Sequence, residues 1–196
     1  CTSTSVVSVV FSYAPAQPLA FSTAQTAVCQ STSNVTYTVP AVAGASSYTW
    51  SYSGSGATIT GTSNTVSVSY NSTATSGTLS VSAVNGCGTG STRSLAITVT
   101  PTPIATFSYP GDPYCENEVN PTPVFSGGGV AGIFSSTAGL VFVSTATGEI
   151  DLIASTPGTY TVTNTIAAYG GCSVVTATSS VTIYALSTWT AGNNST

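Results

Sequence analysis

The chain has 196 residues, of which one is basic (Arg93), five are acidic and none is histidine. This near absence of charge excludes nucleic-acid binding, because nothing in the chain could neutralise phosphates, and it excludes a polybasic membrane contact. No apolar run reaches the ~18 residues that a membrane-spanning helix requires, so the sequence predicts no transmembrane segment.

Apolar residues alternate with Ser and Thr along most of the chain, which indicates an all-β protein. Strict alternation predicts four strands, at Thr65–Tyr70, Thr78–Ala83, Ser94–Val99 and Thr159–Asn164. The same reasoning predicts shorter strands at Val35–Val39, Tyr48–Tyr52, Thr58–Thr60, Ile133–Ser135, Leu140–Val143, Ile150–Ala154 and Ser173–Tyr184. Gly-rich and Pro-Gly turns separate these segments, a spacing typical of antiparallel β-sandwiches.

An internal repeat divides the chain into two modules. A shift of 86 residues superposes four pairs: Cys1 with Cys87, Pro15 with Pro101, Phe21 with Phe107, and Cys29 with Cys115. A third copy, with slightly shorter spacing, starts at Cys172. Each repeat is long enough to bury a core of its own.

Paired prolines mark the linkers between repeats, since they favour stiff, extended connections. We predict that residues 1–18 hold the last strand of a preceding repeat and a proline linker. Residues 19–100 and 101–185 would each form a sandwich, and residues 186–196 would form a linker or the first strand of a next repeat.

The cysteine spacing predicts one disulfide in each module. Cys29 and Cys87 lie 58 residues apart, and Cys115 and Cys172 lie 57 apart. The alternative is that these cysteines are buried free thiols. Disulfides form in oxidising compartments, so the prediction implies an exported protein.

Cys1 is the unpaired cysteine of this scheme. By register it matches the second cysteine of a module, so we expect its partner upstream in a longer parent chain. Two alternatives are a lipid-bearing first residue of a bacterial lipoprotein and a cross-link between neighbouring copies of the chain.

Several segments resemble a known family. Tyr48-Thr-Trp50 and Gly77–Gly88 resemble PKD-like, immunoglobulin-type modules of large secreted Bacteroidota surface proteins, and Phe107–Cys115, Pro121–Gly129 and Ser155–Thr163 resemble a sister module. The resemblance implies two tandem immunoglobulin-like (PKD-like) antiparallel β-sandwiches, preceded by a strand of a previous module. It also implies a secreted location at the bacterial cell surface, in gliding-adhesin-like fibres.

The sequence offers little for catalysis. Without His or Lys, no base is available to activate a serine, and we predict a protein that is not an enzyme. Three acids, Asp112, Glu116 and Glu118, surround Cys115 and form a weak candidate for a Ca²⁺ site. The alternative is an exposed acidic loop, and no other cofactor is expected.

Edge strands normally carry charges that prevent pairing with other chains, and this chain has almost none. We therefore predict a structural repeat that assembles with other copies, or with neighbouring repeats, into an extracellular filament. The alternative is an adhesin module whose loops at one end of the sandwich bind a glycan or a partner protein.

Overall fold

The computed structural model describes residues 13–186. The predicted terminal strand up to residue 12, Cys1 included, and the predicted tail from residue 187 lie outside the described residues. The chain divides into two compact units: the first takes residues up to Thr102 together with Gly170–Cys172, and the second takes Pro103–Tyr169 and the residues from Ser173 onward. Every regular element of the described chain is a strand, which confirms the all-β prediction.

The first unit is a β-sandwich of short strands. They are β1 (Ala27–Cys29), β2 (Val35–Thr38), β3 (Ser47–Tyr52), β4 (Ala57–Thr60), β5 (Thr65–Tyr70), β6 (Gly77–Asn85), β7 (Gly88–Thr89) and β8 (Arg93–Thr100). One sheet has the order β1-β8-β6-β3, with β7 paired to β6, and the other has the order β2-β5-β4. The apolar residues of each alternating strand face the space between the two sheets, as in β5, whose burial alternates along the strand.

Two tyrosines, Tyr37 and Tyr70, are buried in the core of the first unit. Their hydroxyl groups are 3.0 Å apart, and the Tyr37 hydroxyl also donates to the carbonyl of Gln25 at 2.9 Å. Burial raises the pKa of both phenols, because the charged form would lose its hydration. Trp50 is partly buried against this cluster and donates its indole N–H to Ser63 O at 2.9 Å.

The second unit repeats this plan. Its strands are β9 (Phe107–Ser108), β10 (Tyr114–Cys115), β11 (Val124–Phe125), β12 (Ile133–Ser136), β13 (Val141–Ser144), β14 (Glu149–Asp151), β15 (Gly158–Ile166) and β16 (Val175–Tyr184). Its main sheet has the order β10-β16-β15-β12, which matches β1-β8-β6-β3 strand for strand; two-stranded sheets β13-β14 and β11-β9 complete the unit. The sequence repeat is therefore a repeat of topology.

The core of the second unit is aromatic. Phe134 is buried at the centre, in contact with the rings of Phe107 and Phe142, and the hydroxyl of buried Tyr109 donates to Gly148 O at 2.5 Å. Burial raises the pKa of Tyr109. The Tyr160 hydroxyl donates to the backbone carbonyl of Thr156, four residues upstream, which is the arrangement of a tyrosine corner in immunoglobulin-like folds.

Two details differ from the sequence prediction. The first strand of each main sheet pairs in parallel with the last strand, β1 with β8 and β10 with β16, so the sandwiches are not purely antiparallel. The strand predicted at Ile150–Ala154 ends at Asp151. It ends there because Asp151 Oδ1 accepts the N–H of Ala154 and the backbone carbonyl of Asp151 accepts the hydroxyl of Ser155, which closes a turn.

Candidate functional site

The one disulfide of the described residues joins Cys29 to Cys172, which are 143 positions apart in sequence and whose Cα atoms are 4.6 Å apart. Cys87 is an exposed free thiol and Cys115 a half-buried one. The predicted pairs Cys29–Cys87 and Cys115–Cys172 are therefore wrong.

Strand direction explains why the predicted pairs cannot form. Cys29 pairs in parallel with Thr100, at the end of β8, whereas Cys87 lies beyond the start of β8 at Arg93. The length of β8 alone separates the two cysteines by about 23 Å. A disulfide tolerates only about 7 Å between Cα atoms.

The same geometry holds in the second unit. Cys115 pairs with Tyr184 at the end of β16, and Cys172 lies before the start of that strand at Val175. About 30 Å of strand separates these positions. The two cysteines of a module lie at opposite ends of its last strand, so neither module can close a disulfide of its own.

We name the cysteines by their place in the module. The leading cysteine ends the short strand that pairs in parallel with the last strand (Cys29 and Cys115), and the trailing cysteine lies in the hairpin loop before the last strand (Cys87 and Cys172). The observed disulfide joins the leading cysteine of one repeat to the trailing cysteine of the next.

Two glycines bring the loop of Cys172 against the end of β8. Gly170 and Gly171 have φ angles of 57° and 86°, a region that favours glycine. A Cβ on Gly170 would collide with the Thr100 hydroxyl, and a Cβ on Gly171 with the carbonyl of Ala27. The Thr100 hydroxyl donates to Gly170 O at 2.8 Å, and Cys172 Sγ lies 3.7 Å from the Pro101 carbonyl oxygen.

The loop of Cys87 packs against the segment that precedes the first sandwich. Asn85 Nδ2 donates to the carbonyl of Tyr13 at 2.8 Å, while its Oδ1 accepts the N–H of Cys87 at 2.9 Å. A Cβ on Gly90 would collide with the carbonyl of Pro15, and Pro15 is buried. The segment that precedes the first sandwich thus packs on the hairpin that carries the trailing cysteine.

Arg93, the single basic residue of the chain, holds the same segment. Its Nε donates to the carbonyl of Pro18 at 3.0 Å, and Gln17 Nε2 donates to Thr92 O at 2.6 Å. The only cation of the sequence is therefore used to fix a linker.

The three candidate calcium ligands do not come together. Asp112 Oδ1 accepts the N–H of Thr182 at 2.5 Å, and Glu116 Oε2 accepts the N–H of Leu186 at 3.3 Å. Thr182 and Leu186 are four residues apart at the end of β16, which corresponds to about 13 Å of extended chain. Glu118 is exposed, and residues 13–186 contain no group of three His, Cys, Asp or Glu side chains that could hold a metal ion. The structure thus contradicts a calcium site at these acids.

The sequence contains signals for the position of the trailing cysteines. Gly170-Gly171 directly before Cys172 and Asn85-Gly86 directly before Cys87 are both turn signals. They locate the trailing cysteines in hairpin loops, away from the leading cysteines.

Within residues 13–186 no helix is long and apolar enough to cross a membrane.

Residues 14–97 match the model of the family described as PKD-like domain. No curated protein matches the chain. Among solved structures, human mucin-like protocadherin EC1-2 is similar with a TM-score of 0.34 and 11% identity over 85% of this chain and 98% of that one. A SusE-like, surface-located polysaccharide-binding protein of Bacteroides thetaiotaomicron has a TM-score of 0.32 and 14% identity over 79% of this chain and 32% of its own.

EC1-3 of a mouse clustered protocadherin has a TM-score of 0.38 and 12% identity, over 89% of this chain and 68% of its own. By its own strand order and by the family match, the chain is an all-β protein of immunoglobulin-like sandwiches. Its first module is similar to PKD-like domains.

Proposed function

We propose that this chain is a non-catalytic part of an extracellular fibre on a bacterial surface, in which repeated modules are linked end to end and pack side by side. The observation that carries the lateral part is the uncharged edge of β16, described below. The PKD-like match over residues 14–97 and the repeated sheet order support the modular part.

The disulfide supports the extracellular location. Cys29 and Cys172 are both buried, and such bonds form and persist in oxidising compartments. Two Ser/Thr-rich modules without lysine also leave few sites for extracellular proteases of trypsin-like specificity, because Arg93 is the only basic residue.

The outer edge of β16 is open. The strand β10 pairs with it only at Ile183 and Tyr184, so among residues 13–186 no strand pairs with this edge from Val175 to Val181. The open stretch carries Ser, Thr, Ala and Val and no charge. Charged side chains are the usual protection against edge-to-edge pairing, and here they are missing.

Exposed apolar side chains are concentrated in the second unit. In the first unit the exposed large ones, Tyr13 and Leu19, belong to the preceding segment, whereas Val119 and Ile153 of the second unit are 90% and 83% exposed. Val174, directly before β16, and Tyr184, at its end, are each 55% exposed, and exposed apolar groups at an uncharged edge favour association between copies. We therefore assign lateral packing to the second module.

A charge placed on the edge tests this proposal. Thr178 is an exposed residue of the open part of β16, and Thr161 is an exposed residue on the same face of the central strand β15. Thr178→Lys should prevent concentration-dependent association in static light scattering. Thr161→Lys, which adds the same charge away from the edge, should leave association nearly unchanged.

The proposal fails if the unmodified chain remains monomeric at high concentration and neutral pH, or if both lysine variants lower association equally. A monomer that instead binds immobilised glycans would favour the adhesin alternative.

A further inference from the structure

We infer that Cys87 and Cys115 form disulfides with other modules of the same repeat. Cys87 would bond the leading cysteine of the module before it, and Cys115 would bond the trailing cysteine of the module after it. The result is a staggered series of disulfides along the array, each joining one module to the next.

The first argument is the bond that the structure contains. It joins leading Cys29 of the first sequence repeat to trailing Cys172 of the second. Strand geometry excludes a bond between the two cysteines of one module, as shown above for β8 and β16. Cys115 and Cys87 are the repeat equivalents of Cys29 and Cys172, and both are free.

The second argument is the surroundings of Cys87. Thr100 and Pro101 lie against the loop of Cys172, and their repeat equivalents, Ala14 and Pro15, lie against the loop of Cys87. In the bonded case the leading cysteine lies beside this strand end, because Cys29 pairs with Thr100. By this equivalence, the leading cysteine of a preceding module would lie beside Ala14 and Pro15. The loop of Cys87 already contacts these two residues.

The third argument is the register of Cys115. It pairs with Tyr184 as Cys29 pairs with Thr100. The next residue repeats the match: Gln30 N donates to Thr100 O at 2.8 Å, and Glu116 N donates to Tyr184 O at 3.3 Å. Cys115 thus occupies the position of a bonded leading cysteine, and it is still partly exposed.

The bond forms by thiol–disulfide exchange with a disulfide oxidant such as oxidised glutathione or an oxidoreductase. One cysteine thiolate attacks the oxidant and forms a mixed disulfide, releasing one thiol. The partner thiolate then attacks the cysteine sulfur of that mixed disulfide and releases the second thiol. Two electrons pass to the oxidant, and the two protons lost by the cysteines are balanced by the two thiols of the reduced oxidant.

This inference rests on the modular part of the proposed function and is independent of lateral packing. A disulfide map can therefore contradict this inference while light scattering still detects lateral association. Equally, the map can support the inference while light scattering detects no association.

The test is a disulfide map of the native material. Free thiols are alkylated, and the unreduced protein is digested with pepsin at low pH, where thiolates are scarce and exchange is slow. We expect Cys29 linked to Cys172, Cys87 linked to a peptide that matches the leading-cysteine sequence, and Cys115 linked to one that matches the trailing-cysteine sequence. Electrophoresis before and after reduction distinguishes the source: an unchanged size indicates modules of one polypeptide, and a smaller size after reduction indicates separate copies.

Variants of the native protein sharpen the test. Cys87→Ser should release one leading cysteine to alkylation, Cys115→Ser should release one trailing cysteine, and neither should affect the bond of Cys29. The isolated chain with Cys1→Ser, oxidised at a concentration low enough that copies do not meet, should contain one disulfide and two alkylatable thiols, at Cys87 and Cys115. Free Cys87 or Cys115 in the native material, a bond between Cys87 and Cys115 of the same copy, like-to-like pairs or bonds within a module would each overturn the inference.

Discussion

At the scale of single residues, Asn164 shows how a polar group stabilises an otherwise apolar core. It is fully buried in β15. Its Nδ2 donates to the carbonyls of Ala105 and Val130, both at 2.9 Å, and its Oδ1 accepts the N–H of Gly132 at 2.7 Å. One amide therefore satisfies three backbone groups in two loops that have no strand partner.

We predict that Asn164→Ala destabilises the second unit by about 3 kcal/mol, because one buried and two partly buried backbone groups lose their partners at once. Hydrogen exchange of β15 peptides, measured by mass spectrometry, should accelerate at least about a hundredfold. Asn120→Ala is the matched control: its Oδ1 accepts the single N–H of Leu152, so the effect should be about 1 kcal/mol. Equal effects of the two substitutions would contradict this role of Asn164.

At the scale of elements, the sequence pattern was a good guide wherever a strand is amphipathic. Burial alternates along β5 and β15 and along part of β6 and β8, since one face meets the core and the other meets water. All four strands agree with the prediction to within a few residues. The short strands β1 and β10 were not predicted. Two or three residues show no period, and tertiary pairing with β8 and β16 defines these strands.

The cysteine pairing was missed for a related reason. Nearly equal spacings of 58 and 57 residues identify equivalent cysteines but contain no information on strand direction. Only the parallel pairing of Cys29 with Thr100 shows that leading and trailing cysteines of one module lie at opposite ends of β8. The sequence therefore predicts the repeat, but the pairing of a leading cysteine with the trailing cysteine of the next repeat follows only from the strand pairing in the sheet.

The disulfide itself gives a prediction at this scale. Cys172→Ser should lower the free energy of unfolding of the first unit by about 5 kcal/mol, the chain-entropy value for so long a loop. Urea titration followed by Trp50 fluorescence measures the unfolding of this unit. The other tryptophan of the chain, Trp189, is replaced by Phe so that the signal comes from Trp50 alone. Cys87→Ser, the control, should change it by less than about 0.5 kcal/mol, because Cys87 is exposed and unpaired. An equal decrease in the free energy of unfolding in both variants would contradict the Cys29–Cys172 bond and favour the pairing of Cys29 with Cys87.

At the scale of the whole molecule, buried phenols link stability to pH. Tyr37 and Tyr70 in the first unit and Tyr109 in the second all have a pKa raised above 10.0, primarily by burial. Below pH 10 these groups are protonated in both the folded and the unfolded state, so their contribution to stability is constant. Above pH 10 the unfolded chain loses these protons while the folded units keep them, and the stability falls as pH rises.

We predict a flat unfolding free energy between pH 8 and pH 9.5 and a steady fall above pH 10, with a slope of about 1.4 kcal/mol per pH unit for each retained proton. Urea midpoints across this range measure it, in a Cys87→Ser/Cys115→Ser background, because free thiolates would otherwise exchange with the disulfide at high pH. Tyr70→Phe should make the slope of the first unit shallower and leave that of the second unit unchanged, since Tyr109 is unaltered. Stability that rises above pH 10, or a Tyr70→Phe variant with the original slope, would show that these phenols ionise in the folded state as readily as in the unfolded chain.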